Sequence, residues 1–289
     1  MRILVSGAYG QLGNEIKELI NEYPEWIFLF TDVNTLDITR ESEVKNYFDR
    51  NRPDFVINCA AYTAVDKAEE DVETAEKVNS LAPGILGRFS KQTGARLIHI
   101  STDYVFDGEA NQPYAEKAKV NPKGIYGKTK LAGEANCLQE NPDTVIIRTS
   151  WLYSLFGNNF LKTMLRLGNE RDELIVVYDQ VGTPTYASDL ATSILKIIEV
   201  SEKKSDKFIP GIYHFSNEGV ASWYDFAKEI FEISGMECNI KPVLSEQFPT
   251  AAKRPKYSVL DKAKIKNTFG LEIPYWKDSL NVCIGKLIK

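Results

Sequence analysis

The chain has 289 residues, 43% of them hydrophobic and 26% charged, with a net charge of −5 at pH 7. That length can bury a substantial core, as one large domain or as a domain with a smaller lobe, and the negative balance argues against nucleic acid, whose phosphates are bound by basic contacts. No apolar run reaches the roughly 18 residues of a membrane span, the start of the chain runs straight into a glycine turn rather than through a signal peptide, and the scattered Cys59, Cys137, Cys238 and Cys283 offer no metal-type pair, so the reading is a reduced, cytoplasmic protein with no membrane partner.

In chain order, short apolar runs predict strands at 2–6, 27–31, 54–58, 95–101 and 143–149, of the kind buried on both faces. Amphipathic segments between them predict helices at 11–22, 40–51, 68–92 and 125–140, with Pro24, Pro53 and Pro142 punctuating helix-to-strand joints. Alternation at this spacing means βαβ units: an α/β fold with a Rossmann-type, doubly wound parallel sheet. After residue 150 the rhythm loosens. Residues 154–157 and 182–185 read as loops, a helix is expected over 188–200, and the charged stretch 201–207 as a solvated loop. The region 211–289 offers short strands and helices near 222–234 and 276–288. The expected division is a dinucleotide-binding domain over 1–150, with part of 181–210, and a smaller C-terminal α/β substrate lobe from 151–180 and 211–289.

Gly7-Ala8-Tyr9-Gly10-Gln11-Leu12-Gly13 leaves the first strand and opens the first helix. In that context Gly7 permits the tight turn, Gly10 lets backbone approach a pyrophosphate, and Gly13 allows close helix–strand packing. The pyrophosphate then rests on helix N–H groups at the positive end of the dipole. Asp32 follows the second strand, where a carboxylate can bind the adenosine ribose hydroxyls and repel a 2′-phosphate; with no arginine beside it, NADH is favoured over NADPH. The competing reading of Asp32 is a turn or helix-capping residue. Asp37 and Ile38 could edge the adenine, and Ala60, Ala61, Tyr62 and Thr63 follow the third strand with mostly small side chains, suited to close approach by the cofactor.

Tyr-x-x-x-Lys occurs twice, at Tyr126–Lys130 and Tyr224–Lys228. The first follows a strand that ends in Ser101-Thr102-Asp103, at the carboxyl edge where such sheets bind ligands. One helical turn apart, Tyr126 and Lys130 share a helix face, and a nearby ammonium is expected to lower the phenol from its usual value near 10. That suits a general acid, with Thr102 placing a substrate carbonyl. The second pair sits in an apolar helical stripe with Trp223, Ala227, Ile230 and Phe231 and reads as core packing. His99 and His214 lie inside apolar strand-like runs and read as structural, which leaves no histidine for nucleophilic or zinc chemistry.

With the glycine triplet, Thr102, Tyr126 and Lys130, the chain resembles the extended short-chain dehydrogenase/reductase superfamily. Further segments are similar to its dTDP-4-dehydrorhamnose reductase family: Ser101-Thr102-Asp103-Tyr104-Val105-Phe106-Asp107-Gly108, Tyr126-Gly127-Lys128-Thr129-Lys130-Leu131-Ala132-Gly133-Glu134, Arg148-Thr149-Ser150-Trp151 and Arg254-Pro255-Lys256-Tyr257-Ser258. The resemblance implies NAD(P)H-dependent reduction of the C4 ketone of a nucleotide-linked sugar. It implies cofactor contacts at Gly10, Gln11, Leu12, Asp32, Asp37, Ile38, Ala61, Tyr62, Thr63, Tyr126 and Lys130. Substrate contacts are implied at Thr102, Asp103 and Trp151, and nucleotide-diphosphate contacts at Asn158, Asn159 and Arg254. Members also form homodimers bridged by Mg²⁺ on glutamates; Glu15 matches one such position, but with no equivalents found for the other glutamates the sequence leaves Mg²⁺ open, and Glu15 itself reads as a solvated helix residue. Related nucleotide-sugar dehydratases carry Ser-Thr-Asp-Glu where this chain has Tyr104, which favours simple reduction. A regulatory subunit resembling that of methionine adenosyltransferase shares the fold without catalysis; the intact Thr102, Tyr126 and Lys130 favour an enzyme.

Overall fold

The computed structural model describes residues 1–203 and 207–288. Its strands and helices in chain order are β1 (Arg2–Ser6), α1 (Gln11–Glu18), β2 (Ile27–Thr31), α2 (Glu41–Asn51), β3 (Phe55–Asn58), α3 (Val72–Glu76), α4 (Ala82–Thr93), β4 (Arg96–Thr102), α5 (Ile125–Glu140) and β5 (Thr144–Thr149). There follow β6 (Leu152–Tyr153), α6 (Phe160–Glu170), β7 (Glu173–Val177), β8 (Val181–Gly182), β9 (Thr185–Tyr186), α7 (Ala187–Lys203), β10 (Gly211–His214), β11 (Ala221–Ser222), α8 (Trp223–Ser234), β12 (Asn239–Val243), α9 (Ala263–Phe269) and α10 (Trp276–Leu287).

Six strands form one parallel sheet in the order β10-β5-β4-β3-β1-β2. Alternate residues feed opposite cores, as the pleat requires. Ile3 and Val5 of β1 join a cluster with α1, α7 and α9, whereas Leu4 between them joins one with α2, α4 and α5. Every residue of β3 and β5 is buried, which is why these strands read as unbroken apolar runs. A third cluster lies beyond the sheet, where α6, α8 and α10 pack on the parallel pair β7–β12.

The first five strands lie within one residue of expectation. The helix expected over 68–92 is instead a short turn at Lys67–Glu69, then α3, a π-helical turn at Lys77–Leu81, and α4. Pro83 has no N–H to donate to the carbonyl of Asn79 four residues back, and the ladder widens there. That carbonyl faces Gly133 of α5, where a Cβ would lie 2.0 Å from it. Helix α7 runs on through Lys203, so the expected loop at 201–207 begins as helix; residues 204–206 lie outside the described residues. The sheet takes its sixth strand, β10, and the covering helix α9 from the span assigned above to the smaller lobe. Helix α6 was not expected: its apolar positions Leu161 and Met164 sit between loop-forming Asn158-Asn159 and Gly168. Among the described residues no helix is long and apolar enough to cross a membrane.

Candidate active site

The carboxyl ends of the strands open onto a cavity of about 770 Å³ lined by both the glycine turn and Trp151. Gly7 has φ +68°, and a Cβ there would lie 2.6 Å from the backbone nitrogen of Ala60, so the turn demands glycine twice over. Gly13 faces Ala8 Cα at 2.6 Å from its would-be Cβ and packs rather than lining the cavity. No side chain caps the N-terminus of α1 at Gly10, which leaves that end of the helix facing the cavity. These features fit a dinucleotide pyrophosphate.

Gly7, Gly10, Gln11, Leu12, Asp32, Asp37, Ile38, Ala60, Ala61 and Thr63 all line the cavity. Tyr62 does not: its backbone N–H donates to Asn79 Oδ1 at 2.8 Å, and its hydroxyl donates to Asp71 at 3.1 Å. Asp32 is the turn residue of the competing reading. Its Oδ1 accepts from the N–H of Asn34 (3.2 Å), the N–H of Thr35 (3.2 Å) and Thr35 Oγ1 (3.0 Å), and its Oδ2 from Asn34 Nδ2 (3.3 Å). Partial burial raises the carboxyl, but these hydrogen bonds outweigh it and hold the group below its ordinary value. Four hydrogen bonds within its own turn thus engage this carboxylate, three of them on Oδ1.

At the chemical end, Thr102, Asp103, Tyr126 and Lys130 converge on one wall. Thr102 Oγ1 donates to Asp103 Oδ1 at 3.0 Å and accepts the N–H of Tyr104 at 3.2 Å, capping the turn that follows β4. Gly127 brings α5 against that turn; a Cβ would lie 2.3 Å from the Tyr104 carbonyl oxygen, and the Tyr104 and Tyr126 rings meet edge-on at 5.4 Å. Lys130 Nζ donates to the carbonyl of Ile100 at 2.6 Å. Burial pulls the ammonium down to about 8, against the opposing charge of Glu134. The expected lowering of Tyr126 is corrected: burial pushes the phenol up to about 12, Thr102 only partly offsets this, and Asp103 adds to it. Burial likewise lifts the Asp103 carboxyl to about 6, although hydrogen bonds from Ser258 and Thr102 oppose the rise.

The helix carrying Tyr126 is fixed from below. Glu134 accepts Ser101 Oγ at 2.5 Å and both Nε (2.8 Å) and Nη2 (2.6 Å) of Arg148, all fully buried, so α5 is tied to β4 and β5 at once. Asn79 adds a second tie, with Nδ2 on the Tyr62 carbonyl (3.0 Å) and on Thr129 Oγ1 (3.3 Å). Sequence reading missed Asn79 because nothing local marks an asparagine on a widened helical turn.

Trp151 lines the cavity with φ +47°, a region that bulky residues rarely occupy. Its ring stacks on Trp223 at 3.6 Å and 7°, and Gly182 leaves room for it: a Cβ there would lie 2.7 Å from Trp151 Cε2. Trp223 thus serves the site, while its neighbours Tyr224 and Lys228 stay outside this cavity, as expected of the second Tyr-x-x-x-Lys.

Asn158 lines the cavity, but Asn159 and Arg254 do not. Asn159 Oδ1 accepts the N–H of Lys162 at 3.0 Å as the N-cap of α6, and its amide donates to Gln11 Oε1 and the Ser154 carbonyl. Arg254 forms a two-pronged pair with Asp66, at 3.0 and 2.6 Å. Both side chains have partners within the fold. Glu15 is 1% exposed and accepts Ser154 Oγ at 2.6 Å; burial raises its carboxyl, and the Lys286 ammonium lies close enough to oppose the rise. Glu15 is therefore not a solvated helix residue, and among the described residues no three His, Cys, Asp or Glu side chains are grouped to hold a metal ion. His99 and His214 are fully buried, and desolvation holds both well below the ordinary imidazole value. His99 Nδ1 meets Asn58 Nδ2 at 3.0 Å, and Asn58 Oδ1 in turn accepts the Ala60 N–H at 3.2 Å.

The family model described as the RmlD substrate binding domain matches residues 1–288. The dTDP-4-dehydrorhamnose reductase of Aggregatibacter actinomycetemcomitans is 40% identical over 286 residues, 96% of this chain and 97% of its own. The crystal structure of a dTDP-4-dehydrorhamnose reductase from Clostridium acetobutylicum superposes with a TM-score of 0.95 at 46% identity over the whole of both chains. That of the Bacillus anthracis enzyme in complex with NADP superposes at 0.93 and 41% identity over 99% of each. The chain belongs to the dTDP-4-dehydrorhamnose reductase family.

Proposed function

We propose that the protein reduces the C4 ketone of dTDP-4-dehydro-L-rhamnose to dTDP-L-rhamnose with NADH or NADPH. The observation that carries this reading is that Thr102, Tyr126 and Lys130 line the same cavity as the uncapped glycine turn of α1. The sheet, with residues 1–150, α7 and β10, holds the dinucleotide, and the cluster built on α6, α8 and α10 holds the sugar nucleotide. Trp151 and Asn158 stand between the two.

When bound, the nicotinamide supplies the hydride. The protein's part is to hold the ketone oxygen and protonate it. The Tyr126 phenol donates to that oxygen, and the Thr102 hydroxyl, whose one proton rests on Asp103 Oδ1, turns to it when the ketone binds. Because burial keeps the phenol near 12, Tyr126 carries its proton at neutral pH and gives it up only as negative charge builds on the oxygen in front of it. Lys130, charged below about 8 and held on the Ile100 carbonyl, orients the nicotinamide ribose. Asp103, beside Thr102, fixes the orientation of its hydroxyl and reaches the sugar.

Oxidation of NADH and NADPH with dTDP-4-dehydro-L-rhamnose, set against a panel of other nucleotide-linked 4-ketosugars, tests the assignment. Turnover is expected with the thymidine-linked sugar; turnover of a different ketosugar in its place overturns it. Tyr126→Phe should lose most turnover while binding NADH as before, and near-full activity in that variant would remove the acid role.

A further inference from the structure

We propose that Lys17, on α1, is the residue that admits a 2′-phosphorylated dinucleotide by supplying the positive charge that Asp32 otherwise denies it. The inference rests on the dinucleotide reading of the cavity and concerns which form of the dinucleotide it takes.

The adenosine ribose of a dinucleotide lying on this glycine turn falls between the turn and the carboxyl end of β2. The charged side chains facing that space are few. Asp32 and Asp37 line it and are both acidic. Arg40 is the basic residue nearest in sequence, yet its Nε is 3.2 Å from Asp37 and its Nη1 3.0 Å from Glu43, so carboxylates already occupy it. Lys17 comes from a different element, one helical turn beyond Gly13. Its Nζ stands 3.6 Å from the centroid of the Tyr9 ring, inside the glycine turn, and 5.2 Å from that of Phe30, two residues before Asp32. Tyr9 lines the cavity and is 64% exposed. The ammonium therefore waits at the rim of the ribose end, and the field of Asp32 reaches it.

Two features make the position effective. A cation–π contact with an exposed ring is weak and is readily exchanged for a phosphate dianion. The Asp32 carboxylate, fastened by Asn34 and Thr35, has little capacity left to bind the ribose diol, so the usual reward for an unphosphorylated ribose is reduced. The lysine stem then has only to swing from the Tyr9 face toward the phosphate. A sequence search around β2 cannot find this residue, because it lies 15 positions earlier in the chain.

The test is direct binding of NADPH and of NADH to the full chain, by calorimetry or nucleotide fluorescence, for the wild type, Lys17→Gln and Lys17→Arg. Lys17→Gln is expected to weaken NADPH about tenfold while NADH stays within about twofold. Lys17→Arg should restore NADPH, and raising the salt concentration should weaken NADPH binding more in the wild type than in Lys17→Gln. Equal losses for both nucleotides in Lys17→Gln, or unchanged NADPH affinity, overturn the proposal. If the wild type binds neither nucleotide, it is the dinucleotide reading of the cavity that fails.

Discussion

Asp103→Asn should stabilise the protein, by an amount that depends on pH. Burial moves the Asp103 carboxyl from its ordinary 3.8 to about 6 in the folded chain. A carboxyl that holds its proton more tightly when folded costs nothing below about pH 4, where both states are protonated. Stability then falls as pH rises through the interval from about 4 to about 6, and the full cost persists above it. At about 1.4 kcal/mol per pH unit the displacement corresponds to about 3 kcal/mol, of which about 2 kcal/mol develops between pH 4.5 and 7.5. Asparagine keeps an oxygen to accept the Thr102 hydroxyl, now 3.0 Å from Oδ1, and carries no charge to desolvate. Urea unfolding of wild type and variant at pH 4.5, 6 and 7.5 should show the variant gaining on the wild type by about 2 kcal/mol across the series, or about 3–4 °C in Tm. The same substitution should raise the KM for the sugar nucleotide. A stability difference that is flat across the series would refute the claim that the folded protein pays for an ionised Asp103.

Glu134→Ala leaves Arg148 buried without its partner and should cost about 3–5 kcal/mol in urea unfolding, while replacing both by apolar residues of similar volume should cost clearly less; additive losses would contradict the pairing. Gly182→Ala drives a methyl into Trp151 and Ser258 Oγ, each within 2.7 Å of it, and should raise the sugar-nucleotide KM several-fold with the dissociation constant for NADH unchanged; an unaltered KM would show that Trp151 does not touch the sugar. Because burial brings Lys130 down to about 8, its charge is present below that pH and lost above it, so kcat/KM should fall on the alkaline side near 8; a profile level to pH 10 would remove Lys130 from the mechanism.

The sheet was legible because its physics is local to each strand. Segments such as Phe55–Asn58 and Thr144–Thr149 are buried on both faces, so apolar runs mark them to within a residue. The glycine turn and the Tyr126–Lys130 pair were legible for a similar reason: a tight turn and a shared helix face are short-range requirements. What could not be read depends on partners far along the chain. Asn159 and Arg254 are polar residues in loops, and their side chains have partners in Lys162 and Asp66. Spacing alone predicts that an i+4 lysine lowers Tyr126. In the folded chain that ammonium is directed to the Ile100 carbonyl, and burial dominates the phenol.

These details share one arrangement. Trp151 holds a backbone conformation that costs on the order of 1 kcal/mol or more, Asp103 is buried above its ordinary pKa, and Lys130 is desolvated. All three line one cavity at the carboxyl edge of the sheet, and each is destabilising where it stands. They persist because the elements under them are held independently: Glu134 locks α5 to β4 and β5, and Trp223 with Gly182 sandwiches the Trp151 ring. A donor pair that must keep its proton until negative charge appears beside it needs this kind of environment, since water at the same position would screen the charge that draws the proton. Substitutions that relieve the destabilisation should therefore raise stability and lower turnover together. Asp103→Asn is the cleanest case, because it removes the charge without disturbing the packing that holds the site.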